Sequence, residues 1–453
     1  MTVTEFYKQA AGKRAEVLGI GVSNLPLIDF LLDAGLTVRA RDKKNREQLG
    51  KTAEELEIKG VTLVLGEGYL EDVEGDYVFR SPGIRPDIPQ VKKALEKGAK
   101  LTSEMELFFE LCPAKTVGVT GSDGKTTTTT VISLLLREAG YKVYCGGNIG
   151  TPLLPFVREM TNKDFAVLEL SSFQLMTMKK SCEIAVLTNL SPNHLDWHRG
   201  MEEYIEAKTN IFSHAENKVL VLNADNEPSI KLKTPESSEK RFFTSTKKPE
   251  KGMFEENGDV YLDGRLILKR SDVLLPGRHN KQNYMAAYSA VKDYVPVKVL
   301  QKVASTFGGV EHRLEFVREL RGVKVYNSSI DSSPSRTAAA LSCFDKKVVV
   351  ICGGYDKHIP FAPLAEALGA HAKTVMLTGA TANKISEALD ACDAPEKPVV
   401  LREPDFEKAV YKAFESCVPG DTLLLSPGCA SFDAFPNFMV RGQTFKQIIN
   451  EMK

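Results

Sequence analysis

Short apolar runs that end at or near glycine and lead into helix-like stretches recur along almost the whole chain, and this alternation limits the fold more than any other feature. A strand that is apolar along its length is buried on both faces, and a helix returning from its end brings the next strand in parallel. AEVLGIG (15–21), TVRARD (37–42), VTLVLG (61–66) and DYVFRSPG (76–83) form a first set, with a helix expected from Leu25 to Ala34. TVGVTG (116–121), KVYCGG, FAVLEL, IAVLTNL and KVLVLN form a second. VKVYN, KVVVICGG, TVMLTG, PVVL and DTLLLSPG form a third, interleaved with amphipathic stretches such as FEKAVYKAFESC. The expected fold class is α/β, with three domains in series over 1–103, 104–309 and 310–453. Asn257-Gly258 and Asp263-Gly264 lie between short alternating runs, so a small antiparallel hairpin patch is expected on the central domain.

Composition removes several function classes. Lys+Arg and Asp+Glu both number 59, which lacks the basic excess of a nucleic-acid binder. The opening MTVTEFYKQAAGKRAEVLGIG has no basic stretch followed by an apolar one, so no signal peptide is expected there. No apolar run approaches bilayer length, and a cytoplasmic protein without a membrane partner is expected. The eight cysteines are scattered, with no CxxC pair, and are expected to be reduced and mostly buried.

The most specific local signal is Gly121-Ser122-Asp123-Gly124-Lys125-Thr126-Thr127, between a strand and a helix expected over Lys125–Ala139. Glycines allow backbone N–H groups to turn inward around phosphates, and the helix dipole favours the same anion. Lys125 supplies a cation for the β/γ-phosphates and the Thr126 hydroxyl a Mg²⁺ ligand. The loop is a shorter G-x-x-G-K-T form, since Val119 stands five residues before Gly124. The alternative is a glycine-rich turn with an incidental lysine, but the strand–loop–helix context favours phosphate.

Other residues are ambiguous taken singly. Gly19-x-Gly21-x-x-Asn24, with Asp42 ending the next strand, approximates a dinucleotide turn in which Asn24 replaces the third glycine. Ligand binding and an empty tight turn fit it equally. Glu169 ends FAVLEL, where a carboxylate suits Mg²⁺, or simply faces water. His194 follows IAVLTNL, and a loop histidine is more often structural than ligating. Lys208, in YIEAKTNIF, reads by itself as a solvated lysine. Neither Trp197 nor His198 suggests a role.

Taken in order, SPGI (81–84), TGSDGKTT (120–127), GGNIG (146–150), LELSSFQL (168–175), NHLDWH (193–198), YIEAK (204–208), GRHNKQN (277–283), EHRLE (311–315), GGYDK (353–357) and SPGCASFDAFPNFMVRG (426–442) resemble the Mur ligases of peptidoglycan synthesis. SSFQL and the last segment resemble the branch of the family that adds D-glutamate. The resemblance covers essentially the whole chain. It implies a Rossmann-like first domain binding a UDP-linked substrate, a central P-loop ATPase-type domain, and a Rossmann-like last domain binding the amino acid.

The resemblance further implies ATP and two Mg²⁺ ions as cofactors, and UDP-N-acetylmuramoyl-L-alanine and D-glutamate as small-molecule substrates of a monomer. Gly121, Ser122, Asp123, Gly124, Lys125, Thr126, Thr127, Asn280, Asn283 and Arg313 would contact ATP. Thr126 and Glu169 would hold one Mg²⁺ and His194 the second; Lys208, carbamylated by CO₂, would supply a further oxygen ligand to magnesium. Lys125, Glu169, His194 and Lys208 would form the catalytic set. Ser23, Asp42, Gly83, Asn148, Ser171 and Gln174 would bind the UDP-linked substrate, and Ser332, Lys357, Ser431 and Phe438 the D-glutamate. One stretch departs from the family pattern. Where Asn-Asp-Ser-Lys-Ala-Thr is usual, this chain has Asn327-Ser328-Ser329-Ile330-Asp331-Ser332, so Ser328 replaces an acid and Ile330 a lysine.

Three rivals remain. A sister Mur ligase or a folylpolyglutamate-synthetase-like ligase shares the phosphate loop but lacks SSFQL and CASFDAFPNF. An NAD-dependent oxidoreductase leaves the phosphate loop unexplained. A non-catalytic nucleotide sensor is kept open by Ser328 and Ile330.

Overall fold

The computed structural model describes residues 1–453. The chain forms two compact units, one of residues 1–256, 261–265 and 282–300 and the other of 257–260, 266–281 and 301–453.

The first unit contains two sheets. In the first, β1 (Arg14–Leu18), β2 (Thr37–Asp42), β3 (Thr62–Leu65), β4 (Tyr77–Arg80) and β5 (Lys100–Thr102) pair in parallel in the order β3-β2-β1-β4-β5. The chain reverses direction across the sheet between β1 and β4. Turns Gly19–Asn24 and Ser81–Ile84 therefore leave adjacent strand ends at a switch point, where open α/β sheets bind ligands.

The second sheet uses β6 (Lys115–Thr120), β7 (Val143–Gly147), β8 (Phe165–Glu169), β9 (Ile184–Leu187), β10 (Val219–Asn223), β11 (Glu239–Thr244) and β12 (Met253–Glu256). Their order is β12-β11-β10-β9-β6-β8-β7, with parallel pairing throughout. The phosphate loop leaves β6 at the centre, flanked by the loops after β8 and β9. Val117, Val119, Val167, Leu168 and Val186 are all buried, which explains the uninterrupted apolar strands. Beyond β12 come β13 (Asp259–Leu262) and β14 (Arg265–Leu268). Asn257, Gly258, Asp263 and Gly264 all have positive φ, the two-residue geometry that closes tight hairpins.

The second unit contains β15 (Glu315–Leu320), β16 (Val323–Asn327), β17 (Val348–Cys352), β18 (Ala372–Leu377), β19 (Val399–Arg402) and β20 (Thr422–Leu425), in the order β15-β16-β20-β17-β18-β19. Val348, Val350 and Cys352 enter one core with Leu341, Leu364 and Ile385. Val349 and Ile351 enter the other with Val410, Phe414, Phe445 and Ile449. Strand periodicity thus sends alternate residues of one apolar run to opposite layers of helices. The exception is β15, which pairs antiparallel with β16. Arg321 and Gly322 join them with positive φ at both positions, and so short a connection permits only a hairpin. The sequence reading has no strand at 315–320, because EFVREL lacks an apolar run.

All eight cysteines are free thiols; Cys182, Cys352 and Cys429 are buried and the others half-buried. Burial raises the Cys112 and Cys429 thiols to about 11 and those of Cys343 and Cys417 to about 12. No helix is long and apolar enough to cross a membrane.

Candidate active site

The phosphate loop is held in a strained but well-braced shape. Gly121 has φ 147° and Gly124 φ 79°. A methyl group on Gly121 would lie 1.9 Å from Thr188 Oγ1, and one on Gly124 2.5 Å from Asn283 Oδ1. Only glycine fits such backbone without displacing its neighbours. The loop after β9 braces it: Ser122 N–H donates to Asn189 O at 3.0 Å, Asp123 N–H to Asn189 Oδ1 at 3.0 Å, and Thr188 Oγ1 to Asp123 O at 2.6 Å. Ser122 Oγ also donates to Ser191 O at 2.9 Å and lies 2.9 Å from the Tyr204 hydroxyl.

The helix Lys125–Glu138 starts at Gly124 without a side-chain cap. Its first-turn amides therefore present uncompensated donors and the positive dipole end at the loop. Five consecutive threonines are poor helix formers. Burial of Val131, Ile132, Leu135 and Leu136 holds the helix on the sheet. Lys125 Nζ donates to the carbonyls of Gly121 and Ser122 at 2.9 and 2.8 Å, over the loop. Thr128 Oγ1 donates to Asn283 Oδ1 at 3.3 Å, tying the helix 278–291 to the loop. Thr126 is half-buried in the first turn.

Glu169 does not face water: it is 3% exposed at the end of β8. Asn148 holds it, donating from Nδ2 to Oε1 at 2.7 Å and from its backbone N–H to the Glu169 carbonyl at 2.9 Å. The buried Oε2 has no hydrogen-bond partner. A buried carboxylate oxygen left unpaired is costly, and a cation offsets that cost.

Lys208 departs furthest from its isolated sequence reading. The helix Met201–Thr209 buries it to 2% exposure. Its Nζ donates to Gly121 O at 2.8 Å and Thr120 Oγ1 at 3.2 Å and lies 4.8 Å from the Tyr204 ring centre. Burial, together with the charge of Lys125, holds this amine well below the ordinary lysine range, against the opposing pull of Glu169 and Asp123. His194 is exposed, with φ 55°, and packs edge-on against Phe173 at 4.9 Å. Burial and the charges of Lys125 and Lys208 lower its imidazolium.

No three His, Cys, Asp or Glu side chains converge as a self-sufficient metal cage. Magnesium retains water and phosphate ligands and needs only one or two protein oxygens. The orphaned Glu169 oxygen and the Thr126 hydroxyl suit it.

At the first sheet, Ser23 precedes the helix Asn24–Asp33 without capping it. Asn24 is buried and donates to Gly19 O at 2.8 Å and Ser81 Oγ at 3.0 Å, joining the two switch-point turns. Asp42 accepts the Ile20 N–H at 2.7 Å and the Lys44 N–H at 2.9 Å. Gly83 is exposed, and its carbonyl accepts from Trp197 Nε1 at 3.1 Å. Ser171 and Gln174 form a capping box on the short helix 172–175, beside Glu169 in sequence.

In the second unit, Asn280 is buried with its amide on Pro276 O, and Arg313 is exposed. Ser328 is buried, its hydroxyl accepting the Leu314 N–H at 3.1 Å. Asp331 is buried against Ser426 Oγ at 2.8 Å, and burial raises its carboxyl to about 6. Ser332 follows it, Ser431 is buried, Phe438 begins the helix Phe438–Glu451, and Lys357 is exposed. Sequence reading passed over Arg441. Its buried guanidinium binds Ser329 Oγ and O and the carbonyls of Cys429 and Ala430, tying the 327–332 loop to the Ser431 segment.

The three sections match, in order, descriptions of a MurD-like Mur ligase N-terminal domain over 13–103, a Mur ligase middle domain over 119–291 and a Mur ligase glutamate ligase domain over 312–429. The chain belongs to the Mur ligase family. A UDP-N-acetylmuramoylalanine–D-glutamate ligase of Clostridium novyi is 49% identical over 455 residues, covering 100% of this chain and 99% of the relative. One from Clostridium kluyveri is 50% identical over 445 residues, with 97% of each covered. Among solved structures, the UDP-N-acetylmuramate-alanine ligase MurC of Thermotoga maritima aligns with 97% of this Mur ligase and 100% of its own chain, at TM-score 0.58 and 16% identity. That likeness bears on the fold alone.

Proposed function

We propose that this Mur ligase joins D-glutamate to UDP-N-acetylmuramoyl-L-alanine with consumption of ATP, in peptidoglycan precursor synthesis. The observation that carries this reading is the name shared by the full-length relatives at 49–50% identity. The site around the phosphate loop supplies matching chemistry. A carboxylate oxygen of the UDP-linked substrate attacks the γ-phosphorus of ATP, the bond to the bridging oxygen breaks, and ADP leaves. The acyl phosphate so formed has a good leaving group where the carboxylate had none. The unprotonated amine of D-glutamate attacks the acyl carbon, and the tetrahedral intermediate expels phosphate as its nitrogen loses a proton.

Lys125 and the uncapped helix hold the β/γ-phosphates, with Gly121–Thr127, Asn280, Asn283 and Arg313 around the nucleotide. Thr126 and Glu169 would hold one Mg²⁺ and His194 a second, with the carbamate of Lys208 as a further oxygen ligand. When bound, the ions neutralise the charge of anions that must approach one another. Ser23, Asp42, Gly83, Asn148, Ser171 and Gln174 bind the UDP-linked substrate. Ser332, Lys357, Ser431 and Phe438 bind D-glutamate, a cation and hydroxyls suiting its carboxylates. The assigned ranges 1–103, 104–309 and 310–453 carry these roles in a cytoplasmic monomer.

Lys208 acts as its carbamate. Only an unprotonated amine adds CO₂, and burial beside Lys125 favours that form. The addition forms the N–C bond, releases one proton and turns the neutral amine into an anionic oxygen ligand. Isotopically labelled bicarbonate should give a carbamate carbon resonance that Lys208→Ala lacks.

The deciding assay is phosphate release with ATP, Mg²⁺ and UDP-N-acetylmuramoyl-L-alanine, comparing D-glutamate with L-glutamate, L-lysine and glycine. Turnover confined to D-glutamate is expected. Turnover with another amino acid instead would reassign the chain to a sister ligase, and none at all would leave a nucleotide-binding protein.

A further inference from the structure

The turn Ser81–Ile84 is flanked by two arginines that reach away from their own sheet, and neither belongs to any motif above. Arg80 is buried at the end of β4. Its Nη2 donates to Phe173 O at 2.8 Å and Thr177 Oγ1 at 3.0 Å, while Nη1 donates to Pro82 O and Ile84 O at 3.2 and 3.1 Å. Thr177 Oγ1 in turn donates to Glu106 Oε2 at 3.1 Å. One guanidinium thus spans the turn and the short helix of Ser171 and Gln174.

Arg85, on the other side, is held by two carboxylates. It makes paired bonds to Glu203 at 2.7 and 3.0 Å and to Asp87 at 2.9 and 3.0 Å. Nη1 also donates to Trp197 O at 2.8 Å, and the guanidinium carbon lies 4.9 Å from the Trp197 ring centre. Trp197 returns a bond from Nε1 to Gly83 O. The same Glu203 accepts the Arg199 N–H at 2.8 Å and faces His198 Nδ1 at 3.3 Å, while His198 Nε2 lies 2.9 Å from Ser172 Oγ. Glu203 stands in the helix of Lys208, and Trp197 follows His194 by three residues in one tight loop.

We propose that Arg85, with Trp197 and Glu203, is a positioning device that fixes the Gly83 turn against the His194 loop and the Lys208 helix, so that the UDP-linked substrate bound at the turn presents its carboxylate in register with the phosphate loop. The inference rests on the reading of Gly83 as a substrate contact. Paired, planar bonds from arginine to two carboxylates fix orientation in a way a lysine cannot. Both carboxylates are accordingly held down at about 2 by the Arg85 bonds. Arg80 braces the other end of the same turn.

Trp197 is the only tryptophan in the chain, so its emission reports on the surroundings of this one ring, which Arg85, Phe173 and His198 form. In the full-length enzyme, UDP is expected to change that emission, and Arg85→Met is expected to shift it towards the solvent-exposed spectrum and abolish the response. With UDP-N-acetylmuramoyl-L-alanine, Arg85→Met and Glu203→Gln should each lower kcat/KM for that substrate by on the order of 10- to 100-fold, with ADP affinity by calorimetry within about twofold of the parent. Arg85→Lys should not restore the loss, because charge without the fork is insufficient. Should Arg85→Met fail to fold, Trp197→Phe keeps an aromatic face for Arg85 while removing the N–H to Gly83 and part of the ring, and a roughly fivefold rise in KM for the UDP-linked substrate is expected. The proposal is overturned if the variants keep kcat/KM within about twofold, or if Arg85→Lys restores it fully. An unchanged Trp197 emission in Arg85→Met overturns it too. Absence of turnover by the parent enzyme would instead sink the D-glutamate reading, while the response of Trp197 to UDP still tests the clamp.

Discussion

The turns Gly19–Asn24 and Gly121–Thr126 leave comparable strand ends in two parallel sheets, yet they present opposite chemistry. In the first, Asn24 is buried on Gly19 O and Ser81 Oγ, and the Asp42 oxygens are taken up by the backbone N–H groups of Ile20 in the turn and of Lys44 after β2. A methyl group on Gly21 would meet nothing within 4 Å, although one on Gly19 would lie 2.4 Å from Ser81 Oγ. In the second, Lys125 lies over the loop, and Lys208 and an unpartnered Glu169 oxygen are buried close by. The first turn is a quiet, shape-defined shelf. The second concentrates charge, with one carboxylate oxygen unpartnered, which suits a site for polyanions and cations.

Removing the charge should have the largest consequence. Lys125→Ala should lower kcat about 100- to 1,000-fold, measured as phosphate release, since it deletes one preorganised cation at the reacting phosphate. If the loss is less than tenfold, the contrast between the turns is not one of charge. Gly121→Ala should cost on the order of 1–3 kcal/mol of stability in denaturant titrations and abolish ADP binding, because the methyl meets Thr188 and the Asn189 backbone. Asn24→Ala should destabilise by about 1–2 kcal/mol through lost buried hydrogen bonds, without changing ADP affinity. The smallest and most discriminating change is Gly21→Ala. It should leave the melting temperature alone while raising KM for the UDP-linked substrate several-fold, or roughly 1 kcal/mol. An unchanged KM would mean that the first shelf carries no ligand at Gly21.

Much of this contrast was legible beforehand, for identifiable reasons. The phosphate loop announces itself because its backbone geometry admits only glycine and its chemistry needs lysine and threonine at fixed spacing. The sheets announce themselves because strands covered on both faces must be apolar throughout. Lys208 and Glu169, read singly, gave no sign of burial, since a lysine in a polar helix looks solvated until the fold closes over it. Asn24 looked like an imperfect glycine motif, whereas its amide is what joins the two switch-point turns. Arg80, Arg85 and Glu203 were missed entirely. Partners more than 90 residues apart leave no local pattern. At Ser328 the hydroxyl accepts the Leu314 N–H and also bonds the Asp331 carboxyl. Asp331, three residues on, is the nearest acid, and nothing in its buried contact with Ser426 marks it as a replacement for the missing one.

The thiols bear on how such an enzyme could be blocked. Electrophilic drugs that capture cysteine need a thiolate within reach, and here burial pushes the Cys112, Cys343, Cys417 and Cys429 thiols far above neutrality. A cysteine-directed warhead would find little thiolate at these four positions at physiological pH. A covalent inhibitor shaped for the phosphate loop would instead compete with CO₂ for the Lys208 amine, whose ammonium form burial disfavours.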